Sequence, residues 1–146
     1  MIDVKESNHT NRELELMLSG KKPFAIFSDD ISVYPDEIIF PESTFQPYIN
    51  AGIFIKEAFT IETKDFIPSL HRNAVIKYIA YAVPNERWRI DAYKQLAMIR
   101  HSYPHTFKEE GFERYECALL GYSEDETNAW LQHMANMKKQ FSRKAI

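Results

Sequence analysis

Cysteine is all but absent. Cys117 stands alone among 146 residues, which excludes an intrachain disulfide and a cysteine-rich zinc site and points to a reducing, cytoplasmic setting. Glycine is scarce too, with four in the chain, so no glycine-rich loop can cradle a nucleotide phosphate. A Gly-x-Ser-x-Gly elbow and a His-Glu-x-x-His helix are also missing. The longest apolar run, residues 78–83, falls far short of the ~20 residues that a membrane span needs. Met1-Ile2-Asp3-Val4-Lys5-Glu6-Ser7 has no cationic stretch leading into an apolar one, so no secretory leader is expected. No repeat, low-complexity tract or Pro/Gly/Ser linker divides the chain. A single globular domain over residues 1–146 is expected, with residues 1–9 frayed.

Aromatic residues, by contrast, are plentiful. Eight Tyr, ten Phe and two Trp make up 14% of a chain that is 45% apolar, enough to fill a core without metal or disulfide support. Net charge is −3, but its sign is segregated. Residues 29–62 hold seven acids and one base, a net of −6; residues 64–101 hold seven bases and three acids, a net of +4. Residues 109–126 return to −6, and the last nine residues carry +4. Such blocks can give a folded surface two electrically distinct faces.

The pattern reads as strands first and helices afterwards, the order of an α+β fold. A short helix is predicted at about 11–19, with Thr10 and Glu13 at capping-box spacing, Leu14, Met17 and Leu18 as its apolar stripe and Gly20 as its stop. Four to five mainly antiparallel strands are predicted within about 23–83. Phe24-Ala25-Ile26-Phe27 runs into a Ser28-Asp29-Asp30 turn. Glu37-Ile38-Ile39-Phe40, bracketed by Pro35 and Pro41, suits an edge. Residues 52–63 alternate, with Glu57 interrupting the apolar parity and suggesting a bulge or turn near Glu57-Ala58. Residues 74–82 place Ile76, Tyr78 and Ala80 on one face and Val75, Lys77, Ile79 and Tyr81 on the other.

Three helices then follow and are expected to pack on the sheet. The first, about 86–100, is capped by Asn85 and packs through Trp88, Ala92, Leu96 and Ile99. The second, about 107–120, starts at a Thr106/Glu109 box and faces inward through Phe112, Tyr115, Leu119 and Leu120. The third, about 124–140, starts at a Ser123/Glu126 box and carries a Trp130, Met134, Met137, Phe141 seam. Gly121-Tyr122-Ser123 puts a helix stop and a helix start two residues apart, which fixes an αα-hairpin.

Few residues suggest chemistry. Pro35-Asp36 followed by Glu62-Thr63-Lys64 resembles the active-site signature of the PD-(D/E)xK superfamily of metal-dependent nucleases. That resemblance implies Asp36 and Glu62 as Mg²⁺ ligands, Lys64 at the attacked phosphate, and a nucleic acid as substrate. The acidic surroundings would repel a polyanion. His101 and His105 have the spacing of two metal ligands on a helix, with Glu109 and Glu110 nearby, but Pro104 lies between them. Cys117, among Ala118, Leu119 and Leu120, reads as a small buried hydrophobe. The basic stretch from His71 and Arg72 through Arg87, Arg89, Lys94 and Arg100 is interleaved with Tyr78, Tyr81, Trp88 and Tyr93, a composition that can bind single-stranded nucleic acid. Its structural alternative makes Trp88 a core residue.

Two readings result. The first is a non-catalytic interaction domain without a cofactor, of the kind found in small acidic inhibitors and immunity proteins. Asp29, Asp30, Asp36, Glu42, Glu57 and Glu62 would form one acidic patch that steers a basic partner protein. The alternative is the Mg²⁺-dependent nuclease built on Asp36, Glu62 and Lys64. Self-association through exposed aromatics is compatible with either, and no membrane partner is expected.

Overall fold

The alternation predicted at residues 74–82 becomes the middle of a sheet. In the computed structural model, residues 12–32, 40–67, 72–102 and 109–144 are described, with backbone alone at 64–67, 72, 109 and 141–144. Strand β3 (Arg72–Ala82) is flanked antiparallel by β1 (Phe24–Asp30) and β2 (Ile55–Ile67), in the order β1-β3-β2. The remaining elements are helices α1 (Glu13–Leu18), α2 (Glu42–Asn50), α3 (Arg87–Ser102), α4 (Glu109–Leu119) and α5 (Glu124–Lys144). The fold is α+β. The described residues hold three strands, where four to five were expected. Of the predicted edge strand at 37–40, residues 37–39 lie outside the described residues and Phe40 belongs to no strand.

The chain groups into two compact units, Pro23–Phe107, and Met1–Lys22 with Lys108–Ile146. The first holds the sheet, α2 and α3. Alternation sends Tyr81 and Ile79 to one face of β3 and Tyr78 and Ala80 to the other, as the sequence pattern predicts. On the first face Phe45 of α2 stacks on Tyr81, with centroids 4.0 Å apart and planes 14° apart. Phe27 meets both rings edge-on. On the second face Tyr93 of α3 packs against Phe24 at 5.7 Å and Tyr78 at 6.1 Å, while Phe59 stacks on its cross-strand partner Tyr78 at 4.9 Å. Burying each such ring contributes roughly 1.5–3 kcal/mol.

Helix α2 had no counterpart in the sequence reading. Pro47 sits inside it, and an internal proline removes a helical hydrogen bond, which argues against a helix there. Tertiary packing overrides that cost, because Phe45 is 2% exposed and Tyr48 reaches Phe54 at 5.8 Å. The helix ends on Gly52, whose φ of 73° lies in the left-handed region. The amides of Gly52 and Ile53 bond back to Ile49 and Tyr48, a Schellman closure.

Two further expectations are corrected. Glu57 and Ala58 pair with Ala80 and Ile79 without a break, and the irregularity in β2 falls between Thr63 and Ile67. Helix α3 follows a 3-10 turn, Pro84–Glu86, rather than an Asn85 cap. Of its expected inward stripe Leu96 is buried, joined by Ile90, Tyr93 and Ala97, while Trp88 is 53% and Ile99 38% exposed.

The second unit contains α1, α4 and α5. Its αα-hairpin forms as the junction predicts. Gly121 has φ 87°, its amide bonds to Ala118 O and that of Tyr122 to Cys117 O. Ser123 Oγ accepts from Glu126 N at 3.1 Å, while Glu126 Oε1 accepts from Ser123 N at 3.0 Å, so the capping box is reciprocal. Ser123→Ala should cost the chain about 1 kcal/mol in urea unfolding followed by Trp130 fluorescence. Phe112, Cys117 and Leu119 are buried on α4, but Tyr115, expected inside, is 52% exposed. On α5, Trp130 and Met134 are half-buried and Met137 is exposed. Thr10, Thr106 and the side chain of Phe141 lie outside the described residues.

Candidate interaction surface

The strand period that builds the sheet also sorts the acids. Asp29 pairs opposite Lys77 and Glu62 opposite Val75, so both share the Tyr81 face; Asp30 and Glu57 share parity with Tyr78 and take the other. One patch does not form from these four. Asp29 Oδ1 accepts from the Asp30 amide at 2.8 Å and Asp30 Oδ1 from the Ser32 amide at 2.9 Å, turn-stabilising roles at the end of β1. Glu42 accepts from Lys56 Nζ at 2.6 Å. That hydrogen bond holds its carboxyl below the usual carboxylate range.

Glu57, which broke the apolar parity in the sequence, is met by two cations of α3. Lys94 Nζ lies 3.3 Å from Oε1 and Arg87 3.8 Å from Oε2. The second is an ion pair without a hydrogen bond, since Oε2 is buried with no donor among the described residues. Glu62 is exposed on β2. Asp36 and the side chain of Lys64 lie outside the described residues, so the nuclease signature is represented here by Glu62 alone. Among the described residues no group of three His, Cys, Asp or Glu could hold a metal ion.

His101 faces the sheet. Its Nε2 lies 2.7 Å from Tyr78 Oη. Burial, with Arg100 beside it, lowers its pKa below the ordinary 6.5. The ring is therefore mainly neutral near pH 7, and its tautomer sets which partner donates in the Nε2–Oη hydrogen bond. His105 and the Glu109 side chain lie outside the described residues, and Glu110 pairs with Arg114 at 3.2 Å. Cys117 is buried, and burial pushes its thiol up to about 11, which leaves it protonated and unreactive at neutral pH.

The basic and aromatic stretch is divided by the fold. Tyr78, Tyr81 and Tyr93 enter the core, and Lys94 turns to Glu57. Trp88 goes outward, which overturns its reading as core. Its indole is nevertheless fixed: Nε1 donates to Glu86 Oε2 at 2.6 Å. Arg89 Nε donates to the same oxygen at 3.0 Å and its guanidinium carbon lies 4.6 Å from the Trp88 ring centroid. The two arginines on the first turn of α3, unfavourable against the helix dipole, are thus met by Glu86 and Glu57. Trp88, Ala92, Gln95 and Ile99 follow i, i+4, i+7, i+11 spacing along the outer side of α3, with Met98 (49% exposed) at its flank. The fold splits the stripe read from the sequence: Leu96 is buried, whereas Trp88 and Ile99 face out.

The helical unit carries a cleft of about 540 Å³ between α4 and α5, lined by Glu110, Glu113, Arg114, Leu131, Met134 and Lys138 among others. Its walls mix both charges with a few apolar groups. No described helix is long and apolar enough to cross a membrane. The chain matches no family model, no curated protein and no solved structure.

Proposed function

We propose that this chain is a non-catalytic interaction domain of the cytoplasm, and that it binds a partner protein through the outer side of α3. The observation that carries the reading is Trp88, 53% exposed yet held in one orientation by Glu86 and Arg89. Tryptophan and arginine dominate binding hot spots. An anchor that is already ordered loses little entropy on docking. Ile99 and Met98 extend the apolar strip by about three helical turns.

The partner's chemistry differs from the sequence expectation. A basic partner needs gathered acids, whereas Asp29, Asp30, Glu57 and Glu62 divide between two sheet faces and Glu42 and Glu57 are neutralised by cations. Arg87 and Arg89 beside Trp88 already face Glu57 and Glu86, so the fitting partner is defined by an apolar pocket that takes the indole.

The test places a photo-crosslinking amino acid at Gln95, inside the strip, in the producing cell, and reconstitutes any crosslinked complex from pure proteins. Trp88→Ala should weaken that complex by about 30-fold or more, equivalent to about 2 kcal/mol, without changing the unfolding transition. Tyr115→Ala, an exposed aromatic on α4, should leave affinity unchanged. Absence of a crosslinked protein, or equal affinity of Trp88→Ala and parent, would overturn the proposal.

A further inference from the structure

Strand β2 is 13 residues long and stands at the end of the β1-β3-β2 order. Two hydrogen bonds fix which of its backbone groups point away from the sheet. Val83 N donates to Pro23 O and Ile31 N to Val75 O. Both bonds continue the β1–β3 register, so odd-numbered residues of β3 turn their amides and carbonyls toward β1 and even-numbered ones toward β2. Across the second ladder Ala82, Ala80, Tyr78 and Ile76 face Ile55, Glu57, Phe59 and Ile61. Lys56, Ala58, Thr60 and Glu62 therefore direct theirs outward, where no described strand pairs with them. Ala58, Thr60 and Glu62 are exposed. Strand β1 is shorter, at 7 residues, and closes on Asp29-Asp30, charges of the kind that blunt an edge.

We propose that β2 is a dimerisation edge, pairing antiparallel with β2 of a second copy about Phe59 and joining the two sheets into one. The strand's own sequence selects this occupant and this register. Centred on Phe59, Lys56 lies opposite Glu62 of the second copy and Ala58 opposite its Thr60, and two-fold symmetry repeats both pairs. All four positions direct their backbone outward, so each pair exchanges two hydrogen bonds. Lys56 and Glu62 share one face of β2, opposite Tyr81 and Val75, so each of their pairs sets a cation against an acid. Lys56 Nζ donates to Glu42 at 2.6 Å, and an ammonium keeps two further donors. Centring on Thr60 instead sets Lys56 against Lys64, and centring on Ala58 leaves Glu62 opposite Phe54, outside the strand. On the other face Phe59 meets its own copy in a close non-hydrogen-bonded pair, favourable for aromatics, and extends the Phe59–Tyr78 stack. Helix α3 does not obstruct this. It rests on β1 and β3 through Tyr93, and the two copies of β3 stand three strand spacings, about 14 Å, apart, wider than a helix of ~10–12 Å.

Sedimentation equilibrium of the full chain from about 1 µM to 1 mM, the span of transient interfaces, gives the measurement. The parent should pass from monomer to dimer within it. Thr60→Pro removes an outward amide and spares the β3 ladder, so it should stay monomeric. Glu62→Lys reverses both charge pairs and should weaken the dimer about tenfold or more, and adding Lys56→Glu to the same chain should recover most of that loss. Trp88→Ala, on α3, should leave the dimer unchanged. A parent monomeric to 1 mM, which would leave the edge to a strand of another protein, overturns the proposal. So does a dimer that Trp88→Ala abolishes, or one indifferent to both Thr60→Pro and Glu62→Lys.

Discussion

Phe45→Ala should lower the stability of the chain by about 3–5 kcal/mol, the range for truncating a buried aromatic. Phe45 supplies the buried face of α2 and is 2% exposed. It stacks on Tyr81 at 4.0 Å and touches Phe27 and Phe54 at 5.7 and 6.3 Å. Alanine removes all three ring contacts and leaves a cavity that the sheet cannot close, because β1 and β2 are tied to β3 along their pairing register. A domain's whole stability is about 5–15 kcal/mol, so the variant should sit near the limit of folding at 37 °C. Urea titration followed by circular dichroism checks this. A loss under 1 kcal/mol would mean that α2 does not seal that face. Phe45→Leu, which keeps most of the volume, should recover more than half of the loss.

Tyr93→Ala should cost about 3–4 kcal/mol by the same mechanism on the opposite face. Tyr93 is 5% exposed and joins α3 to β1 through Phe24 and to β3 through Tyr78. The substitution carries a second readout. His101 has its pKa lowered chiefly by burial, and water entering beside Tyr78 should move it back toward 6.5, visible in a ¹H–¹⁵N titration of the imidazole. In the parent the sign is fixed: the folded state prefers neutral His101, so this residue's contribution is present above about 6.5 and declines as pH falls below that value. A His101 titration unchanged in Tyr93→Ala would show that Tyr93 does not shield it.

How much of this was legible depends on whether the signal was local. The Gly121 stop and the Ser123–Glu126 box involve residues within a few positions of each other, and both formed as the spacing required. The alternation of residues 74–82 was equally legible, since successive side chains on a strand must diverge. Helix α2 was missed although its Phe45, Tyr48, Ile49 stripe followed by Gly52 would have located it; an internal Pro47 argues locally against a helix. Glu57 looked like a break in β2 because the cations that meet it, Lys94 and Arg87, lie 30 or more positions away.

Trp88 marks the boundary most sharply. Along α3 two apolar stripes compete, one through Trp88, Ala92, Leu96 and Ile99 and one through Ile90, Tyr93 and Ala97; both have helical spacing, and Leu96 of the first is buried with the second. Periodicity counts residues on a face but does not say which face meets the sheet. The acids obey the same rule: clustered in sequence over residues 29–62, they separate once strand pairing assigns them to opposite sides. The sequence alone determined the α+β class, the hairpin of α4 and α5 and the parity of β3, because backbone geometry and short-range capping act within a few residues. Tertiary structure decided which aromatic was left outside and which acids were neutralised. Those outcomes depend on burial and Coulomb partners that only packing brings together.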